Sequence, residues 1–317
     1  MKKLVAVVNT DLLPSLSVVI PTLNRPKALR HTLIDLLKQD YPIGRWEIVV
    51  VDQSDIETQL PPYSGVSLRH LRTTKKQSGA ARNIGVEEAK GEIIVFLDDD
   101  VEIIGTDFLR AHAESYRSAI IGAVAGRVLQ PWDKPIKRIR PWQVGRVTSR
   151  LLIVTGNFNW NKRLEEVEGV MGGNFSVRRD VFLSVGGFDE AFPGTAYFEE
   201  TDLAIRIRKA GYRIVFEPRA VVKHLAIKSG GQRYHASDQL SAYYWYFHNY
   251  MYLFSKHGLR RFLPLVICYA LLRGAYASLK HSNPALFVYS CVRGLLDGMR
   301  YSQRIRKQSE AEETGIS

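Results

Sequence analysis

Along the first hundred positions, short solid apolar runs alternate with stretches of helical spacing. Ser17-Val18-Val19-Ile20 is one such run, ending at Pro21-Thr22-Leu23-Asn24. Beyond it, Leu29, Leu33, Leu36 and Leu37 recur at i, i+4, i+7 and i+8, one face of a helix broken by Tyr41-Pro42 and Gly44. Residues 47–51 predict a second strand, closed by Asp52-Gln53-Ser54-Asp55, and 67–72 a third. A helix over 79–90, stopped by Gly91, leads into Ile93-Ile94-Val95-Phe96-Leu97. Short strand–helix units of this kind imply a parallel sheet with right-handed crossovers.

The pattern then loosens. Residues 130–168 place Trp132, Pro135, Pro141 and Trp142 among basic residues and read as a loop-rich insertion over the sheet edge. Order returns at Gly172-Gly173-Asn174-Phe175-Ser176-Val177, with a short helix to Gly186-Gly187. A helix over 199–210 carries Leu203 and Ile207 on one face, and two closing strands follow at 212–217 and 220–224. The expected architecture is an α/β domain over 1–228, a Rossmann-like, mostly parallel sheet flanked by helices, with a helical appendage over 229–317.

The appendage differs in composition. Residues 239–254 are dense in Tyr, Trp and Phe, 262–272 are uncharged and apolar until Arg273, and 286–299 hold Arg293 and Asp297 at salt-bridging spacing. A spanning helix needs about 20 mostly apolar residues, which the 262–272 segment approaches only by tolerating Arg273. Helices lying on an anionic membrane surface fit the pattern better than a spanning segment or a soluble packing or dimerisation module.

Charge sharpens this reading. The chain has 44 Lys and Arg against 32 Asp and Glu, a net charge of +12, and from Lys223 onward the count is 13 against 5. The excess therefore sits in the tail, and without a recognisable binding module it does not indicate nucleic acid. Cys268 and Cys291 lack CxxC spacing and read as buried thiols in a reducing compartment. The amino-terminal Leu4-Val5-Ala6-Val7-Val8 run is too short for a signal peptide. The expected location is the cytoplasm, peripheral at the inner face of the cell membrane.

The candidate chemistry begins where the 93–97 strand stops at Asp98-Asp99-Asp100. Ligands of open α/β sheets sit beyond the carboxyl ends of the strands. Three like charges there call for a divalent cation, Mg2+ or Mn2+, which bridges carboxylates to phosphates. Three more features reach the same crevice. Pro21-Thr22-Leu23-Asn24 turns from strand to helix, Asp52 ends the second strand where a base or ribose can hydrogen-bond to it, and Gly79-Ala80-Ala81-Arg82-Asn83-Ile84-Gly85 offers a helix start to phosphate. Each alone has a structural explanation, Asp52 as a turn residue and the small residues as close helix packing. Together they describe a metal–nucleoside-diphosphate site.

This order of elements resembles the family 2 glycosyltransferases of the GT-A fold over about residues 16–224. The resemblance rests on Val18-Val19-Ile20-Pro21-Thr22-Leu23-Asn24-Arg25, Val49-Val50-Val51-Asp52, Ala81-Arg82-Asn83-Ile84-Gly85, Phe96-Leu97-Asp98-Asp99-Asp100, Gly172-Gly173-Asn174 and Phe198-Glu199-Glu200-Thr201-Asp202-Leu203. It implies that Pro21, Thr22 and Asn24 line the nucleotide pocket, that Asp52 contacts the base, and that Arg82 and Asn83 add nucleotide contacts. Asp98 and Asp100 match the family's DxD motif, with Asp100 a direct metal ligand and Asp99 close to the ribose or sugar. Gly172, Gly173 and Asn174 would lie near the transferred sugar, and His224 occupies the place of a further metal ligand, or is a satisfied strand-end histidine.

Many relatives have Glu-Asp where this chain has Glu199-Glu200, with the Asp as base. Glu200 is accordingly the expected general base and Asp202 the second candidate, unless Asp202 serves to complement the helix dipole. The implied reaction is an inverting transfer of a sugar from a nucleoside-diphosphate sugar to a hydroxyl of a glycan or lipid-linked acceptor. The metal would neutralise the leaving diphosphate and Glu200 would accept the proton. Two rivals remain: a sugar nucleotidyltransferase, disfavoured by the lack of a Gly-rich loop after the first strand, and an inactive nucleotide-sugar-binding partner. A homo-oligomer is compatible with all three.

Overall fold

The computed structural model describes residues 13–60, 65–134, 144–153, 155–160, 164–227, 229–231, 238–280 and 284–313. The predicted first half is present: β1 (Leu16–Thr22), α1 (Pro26–Leu36), β2 (Trp46–Asp52), β3 (Ser67–Arg72), α2 (Ser78–Glu88) and β4 (Ile93–Leu97). These four strands are parallel, in the order β3-β2-β1-β4. Both faces of β1, β2 and β4 are buried, which explains their unbroken apolar runs. Val19, Val49, Val51, Ile94 and Phe96 enter one core cluster, while Val18, Ile20, Ile48, Val50, Ile93 and Val95 enter another on the opposite face. The alternation is the period-2 signature of a strand covered twice.

The second half departs from the expectation of a mostly parallel sheet. The apolar pattern predicts no element over 101–129, yet β5 (Val101–Ile104), α3 (Phe108–Glu114) and β6 (Ile121–Leu129) lie there. β5 and α3 are too short for periodicity to stand out. β7 (Glu165–Val167), β8 (Asn174–Arg178), α4 (Arg179–Ser184), α5 (Glu199–Lys209) and β9 (Arg213–His224) follow. The sheet continues β4-β8-β6-β9-β5, with β8 antiparallel to both β4 and β6 and β5 antiparallel to β9. The two predicted closing strands are one, because a register shift opposite Gly126/Arg127 absorbs Pro218. Of the 130–168 insertion, Val144, Phe158 and Trp160 are buried against the core; Pro135, Pro141 and Trp142 fall outside the described residues.

Three helices close the chain: α6 (Gln239–Lys256), α7 (Leu263–Lys280) and α8 (Pro284–Glu313). The boundary expected at 228 falls on a residue outside those described. The helices are fastened to loops of the α/β domain by polar as well as apolar contacts. Asn249 donates to the Pro193 carbonyl at 2.9 Å, Tyr250 to the Leu151 carbonyl at 2.5 Å and Tyr301 to the Ala191 carbonyl at 2.8 Å.

Candidate active site

The reversed direction of β8 sets the site. Because β8 runs antiparallel to β4, Asn174 pairs with Leu97, so Gly172 and Gly173 lie beside Asp98, whose amide donates to the Gly173 carbonyl at 3.3 Å. The same reversal between β5 and β9 pairs Val101 with His224 and hangs the imidazole over the acidic triplet. Asp98, Asp100 and His224 each offer one ligand atom, all within 4.8 Å of one another. Three segments far apart in sequence meet here because of strand direction alone.

A cavity of about 770 Å³ opens over this cluster. Its floor is Pro21, Thr22, Asp98, Asp99, Asp100 and His224, and its walls include Arg25, Gln53, Arg82, Tyr197, Glu199, Glu200, Asp238 and Gln239. Six carboxyl groups line the cavity against two guanidinium groups. Burial pushes Asp99 up to about 7 and Glu199 up to about 8 and raises Glu200, which trims the negative charge. It leaves Asp98, Asp100 and Asp238 facing any diphosphate, an arrangement a divalent cation would relieve. Two carboxylates and an imidazole form a donor set suited to such an ion. Nδ1 of His224 contacts Gln130 Oε1 at 2.9 Å and Nε2 lies 3.3 Å from Asp100 Oδ1, so a ring protonated on both nitrogens donates to each oxygen, and a bound cation would take the place of the proton on Nε2. Burial opposes ionisation of Asp100, but His224, Arg25 and the Ile227 amide outweigh it and hold its carboxyl below the usual range. Asp100 thus stays anionic and ready to ligate.

Arg25, missed as a site residue in the sequence, is the clamp on the triplet. Its Nη1 lies 3.1 Å from both Asp99 Oδ1 and Asp100 Oδ2. The rest of its guanidinium donates to the carbonyls of Ile227, Ser229 and Gly230. Thr22 Oγ1 donates to Asp99 Oδ2 at 2.7 Å, so Asp99 is buried and doubly held. Gln53 Oε1 and Thr195 Oγ1 are buried in the cavity wall without a protein partner, the kind of unmet polar group that a polar ligand satisfies.

The base candidates sit at the start of α5. Phe198 caps this helix with φ +75°, in the left-handed region that costs a non-glycine residue about 1–3 kcal/mol. Tyr246 and Tyr250 of α6 hold its ring in place, with centroids 4.9 and 5.5 Å away. That turn starts α5 so that Glu199 and Glu200 both line the cavity. Arg82 joins the parts: it reaches Glu199 Oε1 at 2.7 Å, Asp98 Oδ1 at 3.0 Å and the Gly172 carbonyl at 3.2 Å. Burial raises the Glu200 carboxyl above the ordinary range, Arg82 counters it in part, and Asp98 adds to the rise. A Cβ at 172 would stand 2.1 Å from Glu200 Oε1 and one at 173 would stand 2.6 Å from Asp98 Oδ2, so a side chain at either position would displace a carboxyl of the site.

Several predicted site residues turn elsewhere. Asp202, the second candidate base, does not line the cavity: it pairs with Arg206, Lys256 and His257 at 2.8, 3.0 and 2.9 Å. Burial opposes its ionisation, but His257, Lys256 and Arg206 pull its carboxyl down to about 2, which suits a strut between α5 and α6 and not a proton acceptor. Asn83 exchanges hydrogen bonds with the Phe188 backbone. Asn174 is buried among His112, Arg127 and Ala220. Asp52 is fully buried, its oxygens accepting from the amides of Ser54 and Thr58, so it shapes the loop that presents Gln53. Asn24, at φ +57°, ties the end of β1 to Asp55 from outside the cavity. Asn24, Asn83 and Asn174 sit beside the site in sequence, and their partners come from tertiary contacts that spacing does not reveal, whereas those of Asp52 are local.

The sequence model of glycosyl transferase family 2 matches residues 17–186, more than half of the chain. The chain belongs to glycosyl transferase family 2. The match spans Pro21 through Asn174 of the site and stops short of Glu200 and His224. Curated relatives include the uncharacterized protein y4gI of Sinorhizobium fredii, 26% identical over 230 residues covering 69% of this chain and 25% of that one. The probable glycosyltransferase YdaM of Bacillus subtilis is 28% identical over 226 residues, 67% of this chain and 51% of that one. This chain therefore spans a quarter to a half of the length of these two relatives. The O-antigen chain rhamnosyltransferase RfbN of Salmonella typhimurium is 26% identical over 227 residues, 66% of each chain.

Among solved structures, the mannosyltransferase PcManGT of Pyrobaculum calidifontis, in complex with GDP-Man and Mn2+, superposes with a TM-score of 0.58 at 19% identity. That superposition covers 91% of this chain and 89% of that one. Residues 1–349 of TarS from S. aureus, in complex with UDP-GlcNAc, superpose at 0.55 and 16% identity over 93% and 92%. These likenesses establish the shared GT-A fold, a mixed sheet flanked by helices.

Proposed function

We propose that this chain transfers a sugar from a nucleoside-diphosphate sugar to a hydroxyl of a glycan or lipid-linked acceptor, with inversion at the anomeric carbon. The observation that carries this reading is the meeting in one cavity of Asp98, Asp100 and His224 with the carboxyl of Glu200. Family membership supports the donor class, as do the nucleotide sugars bound to the structural neighbours. Asp98, Asp100 and His224 would hold Mn2+ or Mg2+, which, when bound, supplies positive charge to a departing diphosphate.

The protein's own groups do the rest. Arg82 fixes Asp98 and Glu199 in place, and Glu200 accepts the proton of the attacking hydroxyl. With one base and no second carboxyl assigned as nucleophile, a single displacement inverts the centre. The wall formed by Tyr197, Gln239 and Ala242 is the acceptor side, so the helical region after 228 contributes to the substrate site and is more than an appendage. Both cysteines are free thiols, in keeping with work in the cytoplasm.

The test is proton NMR of the product formed from donors of known anomeric configuration. Inverted linkage formed only with divalent metal is the expected result. A retained linkage would refute the single displacement, and donor binding without turnover would favour the inactive partner.

A further inference from the structure

The outer face of the α7–α8 hairpin is apolar and uncovered. On α7, Leu265, Ile267, Leu271, Leu272, Tyr276 and Leu279 are all exposed, Leu272 at 71% and Leu279 at 87%. Leu286, Tyr289 and Leu296 continue the face on α8. The helical stretch Arg260–Leu279 is long and apolar enough to cross a membrane, yet only 28% of its most apolar window is buried. A contiguous exposed apolar face of this kind marks an interaction site.

Charge decides what covers it. Between Asp238 and Asp297 the sequence contains no acidic residue and six Lys and Arg. A second copy would set one cationic face against another, a costly pairing. Crossing is opposed by the inner side of the hairpin: Val266 and Ala270 of α7 are buried in one cluster with Phe247, Tyr250 and Phe254 of α6, and α8 packs along α6, where a Cβ at Gly294 or Gly298 would come within 2.4 or 2.3 Å of backbone oxygens of Tyr244 and His248. Because α6 is itself hydrogen-bonded to the loops of the α/β domain at Leu151 and Pro193, the hairpin lies against the protein and presents one side outward. Apolar side chains backed by cations are the signature of a helix seated in an anionic bilayer surface.

We propose that this face docks the protein onto anionic membrane, in the plane of the interface. The surface adjoins the cavity: Tyr243 of α6 meets Phe287 of the hairpin with centroids 5.4 Å apart, one turn from the cavity-lining Gln239 and Ala242. A docked hairpin therefore brings the acceptor wall close to the lipid. The docking itself does not depend on the transfer reading.

The test uses the full chain with phosphatidylcholine vesicles, with and without phosphatidylglycerol. Co-sedimentation with the anionic vesicles that falls at high salt is expected. Cys268, expected from the sequence to be buried like Cys291 but exposed here because it lies on the outer side of α7, carries an environment-sensitive label whose emission should shift to the blue on binding. Leu272→Asp and Leu279→Asp should each weaken binding about tenfold, on the scale of one exposed leucine side chain transferred to lipid, with the melting temperature and metal-dependent nucleotide binding unchanged. Unaltered vesicle binding in both variants, or none by the parent chain, overturns the proposal. So does a dimer in solution that the two substitutions dissociate, which would make the face a contact between copies. Resistance to alkaline carbonate extraction would point to a spanning helix and overturn it as well.

Discussion

Glu200→Gln is expected to lower sugar transfer by about 10²–10⁴-fold, the range for loss of a general base, while donor binding and melting temperature stay near the parent values. The reason is positional. Glu200 lines the cavity at the start of α5, and Asp202, the other candidate, is spent on Arg206, Lys256 and His257. Glutamine preserves the shape beside Gly172 and removes only the proton acceptor. The pH profile carries the same claim. Glu200 must be ionised to act, and burial raises its carboxyl, so activity rises with pH along an acid limb displaced above the ordinary carboxylate range. Glu200→Gln should abolish that limb. A profile flat through the weakly acidic range, or a Gln variant with near-parental turnover, would remove Glu200 from the mechanism.

Asp100→Asn is expected to cost about 10²–10³-fold in transfer, the scale of deleting one preorganised electrostatic partner, and to abolish the metal dependence of donor binding. The substitution is isosteric, so the Ile227 amide keeps an oxygen acceptor, held at 3.2 Å in the parent chain, and the fold is retained. Asp202→Asn serves as the contrast: it should lower the melting temperature by loosening α5 from α6 and leave the metal requirement intact. Calorimetric titration of Mn2+ into both variants separates the two roles. Equal metal affinity in Asp100→Asn and the parent chain would exclude Asp100 as a ligand.

The architecture was legible wherever burial was one-sided or complete over several residues. The runs of β1, β2 and β4 and the Leu29, Leu33, Leu36 face of α1 occur as their periodicity predicts, with those leucines fully buried. The acidic triplet stood out for a different reason: three carboxylates at a buried strand end call for positive partners, and Arg25 and Arg82 supply two. Strand direction was not legible. Nothing in Asn174 to Arg178 says that β8 runs against β4, yet that reversal brings Gly172 and Gly173 to Asp98. Arg25 was overlooked because an arginine one residue beyond a turn looks solvated until the carbonyls of Ile227, Ser229 and Gly230 close around it. Asp52 is the turn residue that its sequence also allowed, accepting from the Ser54 and Thr58 amides, whereas Asn83 and Asn174 spend their polar atoms on distant backbone, which only the tertiary structure shows.

One measurement bears on the central claim most directly: thermal melting of the parent chain with UDP, GDP or dTDP, each in the presence of Mn2+ and of EDTA. The cavity carries six carboxyl groups against two guanidinium groups, so a diphosphate should bind only with the cation. A rise in melting temperature with one nucleoside diphosphate that EDTA erases is the predicted result, and it would name the donor class. Stabilisation that persists in EDTA, or none with any of the three, would contradict a metal–nucleoside-diphosphate site at Asp98, Asp100 and His224.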